Sequence, residues 1–239
     1  MLLPKHDPMG RAMLDYLQQP DESANIIVHC DIADDDVIPV PLLFRNWDGM
    51  SPLEQTALEN CYGRVLDLGA GAGSHALELQ KRGLEVVAAD ISPGSVEVMK
   101  TRGVADVRAT DISGLGEERF DTILLMMNGI GLTGTLESFK QWLQSVKPLL
   151  LPGGQIIFDT SDIEYLYMDD EGNSFLPDDG RYYGEVQYQM QYKDTSSTQF
   201  AWLFIDSITL TDLAFDGGFD VELLDTGDNF TYLVRLVRV

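Results

Sequence analysis

One stretch constrains the fold more than any other: Val65-Leu66-Asp67-Leu68 runs directly into Gly69-Ala70-Gly71-Ala72-Gly73-Ser74. The apolar run reads as a buried strand. Glycines at alternate positions then let the chain turn sharply into a helix, with backbone that no side chain shields from a ligand. The spacing is G-x-G-x-G, with Asp67 two residues before the first glycine. The dinucleotide fingerprint is instead G-x-G-x-x-G, and its informative acid follows the second strand. The turn therefore argues against an NAD-dependent oxidoreductase, which stands as the less favoured alternative.

The rhythm downstream is that of a parallel sheet with helices on both faces. A strand ends at Leu68, and a helix over 74–82 is closed by Gly83. A strand over 85–89 precedes a helix that Ser92 caps, that carries Pro93 at its first position and that Gly103 ends. Strands over 104–109 and 121–127, a helix over 136–150 and a strand over 155–158 follow.

Taken in order, these runs resemble the motifs of the class I S-adenosylmethionine-dependent methyltransferases. Gly69-Ala70-Gly71-Ala72-Gly73 is similar to that family's glycine-rich turn, and Val86-Val87-Ala88-Ala89-Asp90-Ile91-Ser92 to its second strand with the terminal acid. Ala109-Thr110-Asp111-Ile112 resembles the acid after the third strand. Phe120-Asp121-Thr122-Ile123-Leu124-Leu125-Met126-Met127-Asn128 resembles the fourth strand, and Leu151-Pro152-Gly153-Gly154-Gln155-Ile156-Ile157-Phe158-Asp159 the turn and fifth strand. The likeness covers roughly residues 60–160 and, more loosely, the C-terminal tail. It implies an α/β, Rossmann-like, doubly wound seven-stranded sheet, mostly parallel with an antiparallel C-terminal strand, plus an inserted β-hairpin after strand five. It also implies transfer of a methyl group from S-adenosylmethionine to a small-molecule acceptor by in-line displacement. A non-catalytic S-adenosylmethionine- or S-adenosylhomocysteine-binding scaffold or sensor would use the same residues and remains an alternative.

The resemblance implies cofactor contacts at Asp67, Gly69, Ala70, Gly71, Gly73, Asp90, Ile91, Asp111, Ile112, Met127 and Asn128. The glycine turn would line the cofactor's amino-acid part, and Asp67 would orient the turn or meet the ammonium. The two oxygens of Asp90 suit a vicinal diol. Asp111 would receive the adenine amino group, between Ile91 and Ile112. Carboxylates at strand ends also cap the helices that follow, and that role stays open for Asp90 and Asp111.

A sulfonium methyl donor is already activated, so positioning and water exclusion matter more than a base. The catalytic candidates are Asn128, Asp159 and His75; for His75 a structural role competes. Asn128-Gly129-Ile130-Gly131 lacks the prolines and aromatic of an N-P-P-Y loop, which counts against methylation of an exocyclic base nitrogen or an amide. Asp159 and Asp162 would meet a cationic or hydroxylated acceptor, or simply solvate a loop. Tyr165, Tyr182 and Tyr183 would line a pocket or pack as core.

Residues 1–63 read as a cap segment packed on the core, and 64–239 as the methyltransferase domain with 160–206 as inserted hairpin or lid. Within the cap a helix over 9–18 stops before Pro20, residues 34–41 read as an irregular segment leading to 42–47, and Ser51-Pro52-Leu53-Glu54 opens a helix with a capping box. Phe44 and Arg45 offer an aromatic wall and a carboxylate partner for the cofactor, or belong to a helix packed on the sheet with Arg45 at the surface. Residues 182–192 and 200–204 alternate as a hairpin with an aromatic face, either an acceptor wall or an antiparallel extension or dimer edge. A helix over 208–214 and strands over 219–224 and 231–239 complete the chain.

With 239 residues, one domain suffices, as a monomer or homodimer. No apolar run reaches the ~18 residues of a membrane span, and the N-terminal apolar stretch is too short for a signal peptide, so no membrane partner and a cytoplasmic location are expected. Cys30 and Cys61 stand apart without a ligand cluster, so neither metal nor disulfide is expected. A net charge of -23 without a Lys/Arg run makes nucleic acid an unexpected partner.

Overall fold

A computed structural model describes residues 2–239 apart from 170, 172 and 179. In chain order its main elements are α1 (Pro8–Gln18), β1 (Asn25–Cys30), β2 (Asp36–Pro39), α2 (Pro52–Glu59), β3 (Arg64–Leu68), α3 (Ser74–Lys81), β4 (Glu85–Asp90), α4 (Pro93–Arg102), β5 (Asp106–Ala109) and β6 (Phe120–Leu125). There follow α5 (Leu136–Val146), β7 (Leu150–Ser161), β8 (Glu185–Tyr192), β9 (Thr195–Ser196), β10 (Phe200–Leu203), α6 (Ser207–Asp216), β11 (Phe219–Thr226) and β12 (Thr231–Arg238).

Seven strands form one sheet in the order β11-β12-β7-β6-β3-β4-β5. The five from β7 to β5 are parallel; β12 runs antiparallel to β7, and β11 antiparallel to β12. From β3 the chain winds outward to β5 and then returns to β6 on the other side of β3. Strand order thus reverses between β3 and β6, where open α/β sheets bind ligands beyond their carboxyl ends. Strand alternation covers both faces. Leu66 and Leu68 pack with Phe139, Trp142 and Phe158, whereas Val65 packs with Ala57, Leu58, Leu79 and Met99.

Local chemistry fixes the helix starts. Ser51 and Glu54 close their reciprocal capping box, Ser92 accepts from Ser95 N at 2.9 Å, and Asp206 accepts from Ile208 N and Thr209 N. The helix expected over 136–150 ends earlier, at Val146. Pro148 has no N–H to continue the ladder, so a 3₁₀ turn, Lys147–Leu149, leads into β7. Strand five is likewise longer than 155–158, because Gly153, at φ 74°, lies inside β7 at a register irregularity opposite β6. The strand expected from Val104 starts at Asp106.

A second sheet, β10-β8-β1-β2 with β9 on β8, joins residues 25–39 to the hairpin of residues 185–203. The hairpin of β8 and β10 forms as the alternation implied. The expectation of an irregular 34–41 is corrected: Asp36–Pro39 is an edge strand, with its proline at the strand's last position. Its neighbour β1 pairs with β8, Cys30 opposite Tyr188 and Val28 opposite Met190, a contact between distant stretches that local periodicity cannot carry.

This second sheet and α1 close over the carboxyl ends of the first. Gly10 of α1 lies so near Gly94 of α4 that a Cβ on Gly94 would fall 2.5 Å from Gly10. Asp7, which caps α1, also accepts from Ser92 Oγ at 2.6 Å, next to the end of β4.

Candidate cofactor and acceptor site

Three glycines after β3 adopt left-handed backbone, Gly69 at φ 74°, Gly71 at 56° and Gly73 at 79°. They do different things. A Cβ on Gly69 or Gly71 would meet nothing within 4 Å, so these two border open space; on Gly73 it would come 2.9 Å from Met99 and Val104, so Gly73 lets the turn pack on α4. Gly69 N donates to Ala89 O at 2.8 Å, tying the turn to β4. Gly73, at the N-cap, has no side chain to cap α3, and within the first turn Ala76 N is taken by the Asp67 carboxyl.

Asp90 ends β4. Its Oδ2 accepts from Gly71 N at 2.9 Å and its Oδ1 from Ser92 N at 2.8 Å. A carboxylate offers about four lone-pair sites, so each oxygen keeps acceptor capacity for a further hydroxyl. Burial pushes this carboxyl up to about 6, against the lowering effect of those two N–H donors. Asp67 is only 2% exposed, and its Oδ2 has no hydrogen-bond partner. Burial raises its pKa, with His75 and Ala76 N opposing.

Beside Asp67 lies a buried ionic array. Glu54 Oε1 accepts from His75 Nε2 at 2.7 Å and from Arg45 Nε at 2.9 Å, and Glu54 Oε2 accepts from Ser51 N at 2.9 Å. Burial alone would raise the Glu54 pKa. The bonds and charges of His75 and Arg45 override it and hold the carboxyl at about 2. Arg45 therefore sits on Glu54, neither at the surface nor pointing outward as a free carboxylate partner, which corrects both readings of it. Arg102 completes the stitching. It donates to Ala72 O at 2.6 Å and Phe44 O at 3.3 Å with its guanidinium 4.9 Å over the Phe44 ring, while Ser74 Oγ donates to Leu43 O at 2.7 Å. Residues 43–54 and the glycine turn form one continuous unit.

The remaining candidates lie at other strand ends. Asp111 Oδ1 accepts from Ser113 N at 2.9 Å and caps the 3₁₀ turn Ile112–Leu115. Ile91 is 40% exposed directly after Asp90, and Ile112 packs partly on the core. After β6, Met127 and Asn128 are consecutive non-glycine residues in left-handed backbone, at φ 63° and 53°, a conformation that side chains disfavour. The turn is pinned on two sides. Asn128 N donates to Asp159 Oδ1 at 3.1 Å, and Asn128 Nδ2 donates to Leu203 O of β10 at 3.2 Å. Burial raises the Asp159 carboxyl to about 6.

Leu203 brings the second sheet to this turn, and Trp202 covers it. A Cβ on Gly131 would fall 2.2 Å from the indole. Tyr188 stacks 6.1 Å from Trp202, with Phe204 at 6.3 Å. At the end of β7, Tyr183 OH donates to Asp162 Oδ1 at 2.8 Å, and Tyr182 OH donates to Asp206 Oδ2 at 2.6 Å. The sequence missed Arg102 and the ionic role of Glu54; the capping box had exposed Glu54 only as a helix start.

A glycine turn open over two of its glycines, an acid with spare acceptor capacity after the next strand, and both at the reversal of strand order define a Rossmann-like fold built for a nucleoside cofactor. The comparisons specify it. A family model described as a methyltransferase domain matches residues 65–154. The solved S-adenosylmethionine-dependent methyltransferase of Bacteroides fragilis, in complex with S-adenosylhomocysteine, is 44% identical, with a TM-score of 0.92 over 100% of this chain and 98% of that one. A demethylmenaquinone methyltransferase of Clavibacter sepedonicus is 35% identical over 101 residues, 39% of each chain. A tRNA U34 carboxymethyltransferase of Idiomarina loihiensis is 27% identical over 170 residues, 66% of this chain and 48% of the relative. This chain thus spans less than half the length of either curated relative it matches. The chain belongs to the S-adenosylmethionine-dependent methyltransferases, and S-adenosylmethionine is its cofactor. The residues present fit that group: open space over Gly69 and Gly71, free acceptor capacity on Asp90, and a buried Asp67 oxygen without a partner. Among the described residues no helix is long and apolar enough to cross a membrane.

Proposed function

We propose that this enzyme methylates a small-molecule acceptor held between the carboxyl ends of β6 and β7 and the ring-bearing face of the second sheet. The carrying observation is the pinned turn, where Asn128 is held at once by Asp159 and by Leu203 of β10. It sets the second sheet beside the strand ends that face the cofactor.

In this reading Asp90 takes the ribose hydroxyls, and Gly69, Ala70, Gly71 and Asp67 take the amino-acid part. Gly73 acts by packing. Asp111, with Ile91 and Ile112, borders the adenine. When bound, S-adenosylmethionine supplies a methyl group already activated by its sulfonium. The chain's own work is to seat the acceptor and exclude water, with Met127, Asn128 and Asp159 nearest the reacting atoms. His75, engaged by Glu54, serves the turn from behind. The segments that carry β1 and β8 act together as the cover, because the two strands are hydrogen-bonded neighbours, whereas α2 packs on the face of the seven-stranded sheet.

The net charge of -23 favours a small molecule over a polyanion such as tRNA. The test measures S-adenosylhomocysteine release with small metabolites and, in parallel, with unmodified total tRNA. Turnover with a metabolite and none with tRNA is expected; the reverse result would overturn the assignment.

A further inference from the structure

We propose that the acceptor is a small amine, cationic in water, seated between the Asp162–Tyr183 pair and the Tyr188 and Trp202 rings. This rests on the methyl-transfer cleft described above and adds the chemistry of its second substrate.

Asp162, half-buried beyond the end of β7, keeps one carboxylate oxygen for a ligand with N–H groups. Both of its described bonds go to Oδ1, from Tyr183 OH at 2.8 Å and Glu164 N at 3.0 Å, so Oδ2 lies outside them. Three residues earlier on the same strand end, Asp159 supports the pinned turn. Among the described residues no Lys, Arg or His nitrogen lies within 4 Å of a carboxylate oxygen of Asp159, Asp162 or Asp206. The guanidinium of Arg181, close in sequence to these tyrosines, is 3.7 Å from Asp31.

The rings point the same way. In-chain cations sit over Phe120, Trp47, Phe44, Phe219 and Tyr192, and none over Tyr183, Tyr188 or Trp202 among the described residues. Trp202 sits on Gly131, in the turn that Asp159 pins, so electron-rich rings and carboxylates without a protein cation border one cleft, where they would stabilise an ammonium and repel a carboxylate or phosphate acceptor. A neutral alcohol could donate its O–H to Asp162 but would not neutralise the charge, as an ammonium does.

The chemistry balances. The ammonium gives one proton to a carboxylate or to water, and its nitrogen lone pair then forms the N–CH3 bond as the S–CH3 bond breaks. That bond's electron pair stays on sulfur, so the products are the methylated ammonium and the thioether S-adenosylhomocysteine.

The test uses calorimetry on the full chain. S-adenosylhomocysteine is titrated first, and failure to bind would remove the underlying methyl-transfer cleft. The saturated protein is then titrated with two matched pairs, phenethylamine against phenethyl alcohol and choline against its neutral carbon isostere. In at least one pair the cation should bind ~10-fold more tightly or better. Asp162→Asn should abolish that preference while leaving S-adenosylhomocysteine affinity unchanged, which also shows that the variant is folded. Tyr183→Phe, which keeps the ring but loses the orienting O–H, should reduce the preference in part. Equal binding within both pairs, no binding of either cation, or a preference that survives Asp162→Asn would overturn the proposal.

Discussion

Replacing Asp90 by Asn should move stability and cofactor affinity in opposite directions. The folded-state carboxyl sits at about 6 against an ordinary 3.8, because burial outweighs its two backbone donors. A raised acid stabilises the fold below its unfolded pKa, and that contribution is lost as pH rises from 3.8 through about 6. Above that range the ionised group costs the fold up to ~3 kcal/mol, at 1.36 kcal/mol per pKa unit. Asp90 is half-buried, so water softens this cost. The amide also loses one acceptor toward Gly71 N or Ser92 N, worth ~1.5 kcal/mol. The net expectation at neutral pH is a gain of ~1 kcal/mol, a rise in Tm of ~2–4 °C for a chain of this size. S-adenosylhomocysteine should meanwhile bind more weakly by ~1.5–3 kcal/mol, because a hydroxyl loses its charged acceptor and Gly71 loses its tether. Thermal melts at pH 7 and calorimetric titration read the two effects separately. Unchanged affinity in a folded variant would refute the ribose role, and a Tm that falls at neutral pH would refute the argument from buried charge.

Glu54→Gln should destabilise the chain by ~3 kcal/mol at pH 7 by leaving Arg45 and His75 buried without their carboxylate. Since the Glu54 carboxyl is held at about 2 against an ordinary 4.5, the gap from wild type in urea unfolding should be full above pH 4.5 and close as pH falls through 2. A gap independent of pH would refute the pairing. Gly71→Ala should cost only ~1–2 kcal/mol of stability, the strain of a left-handed alanine, yet abolish measurable S-adenosylhomocysteine binding, because its Cβ enters open space over the turn. Gly73→Ala adds to similar strain the overpacking of Met99 and Val104, another ~1–3 kcal/mol, so it should melt earlier than Gly71→Ala. Trp202→Ala, which uncovers Gly131, should lower acceptor affinity while cofactor affinity holds; equal losses would place the indole in the core alone.

Local signals carried much of this architecture. The glycine turn, the Ser51–Glu54 box and the Ser92-Pro93 start each bring their partners within a few residues, and the parallel order follows from the βα rhythm. Non-local pairing hid the rest. β1 finds its partner in β8, and nothing between residues 25 and 30 announces that neighbour. Arg102 looks in sequence like the basic last turn of a helix, yet its fork joins Ala72 O to Phe44 O. Asp111 shows both the cap geometry the sequence allowed and the position after the third parallel strand that the resemblance used. His75 was legible as a polar residue early in a helix; its engagement by Glu54 required α2 and α3 to be side by side.

The pairing of Val28 with Met190 also sets an order of events during synthesis. At about 5–20 residues per second, the partner strand leaves the ribosome on the order of 10 s after β1. In that interval Ile26 and Val28, both buried in the finished enzyme, have only the short edge strand β2 to pair with, while β3 to β7 can already assemble. The parallel strands that carry the glycine turn are therefore in place before β8 arrives, and β11 and β12 join the sheet beside β7 later still. The newborn chain passes through a stage in which the apolar N-terminal strand is a target for chaperones, for aggregation, or for the wrong edge of the sheet already made.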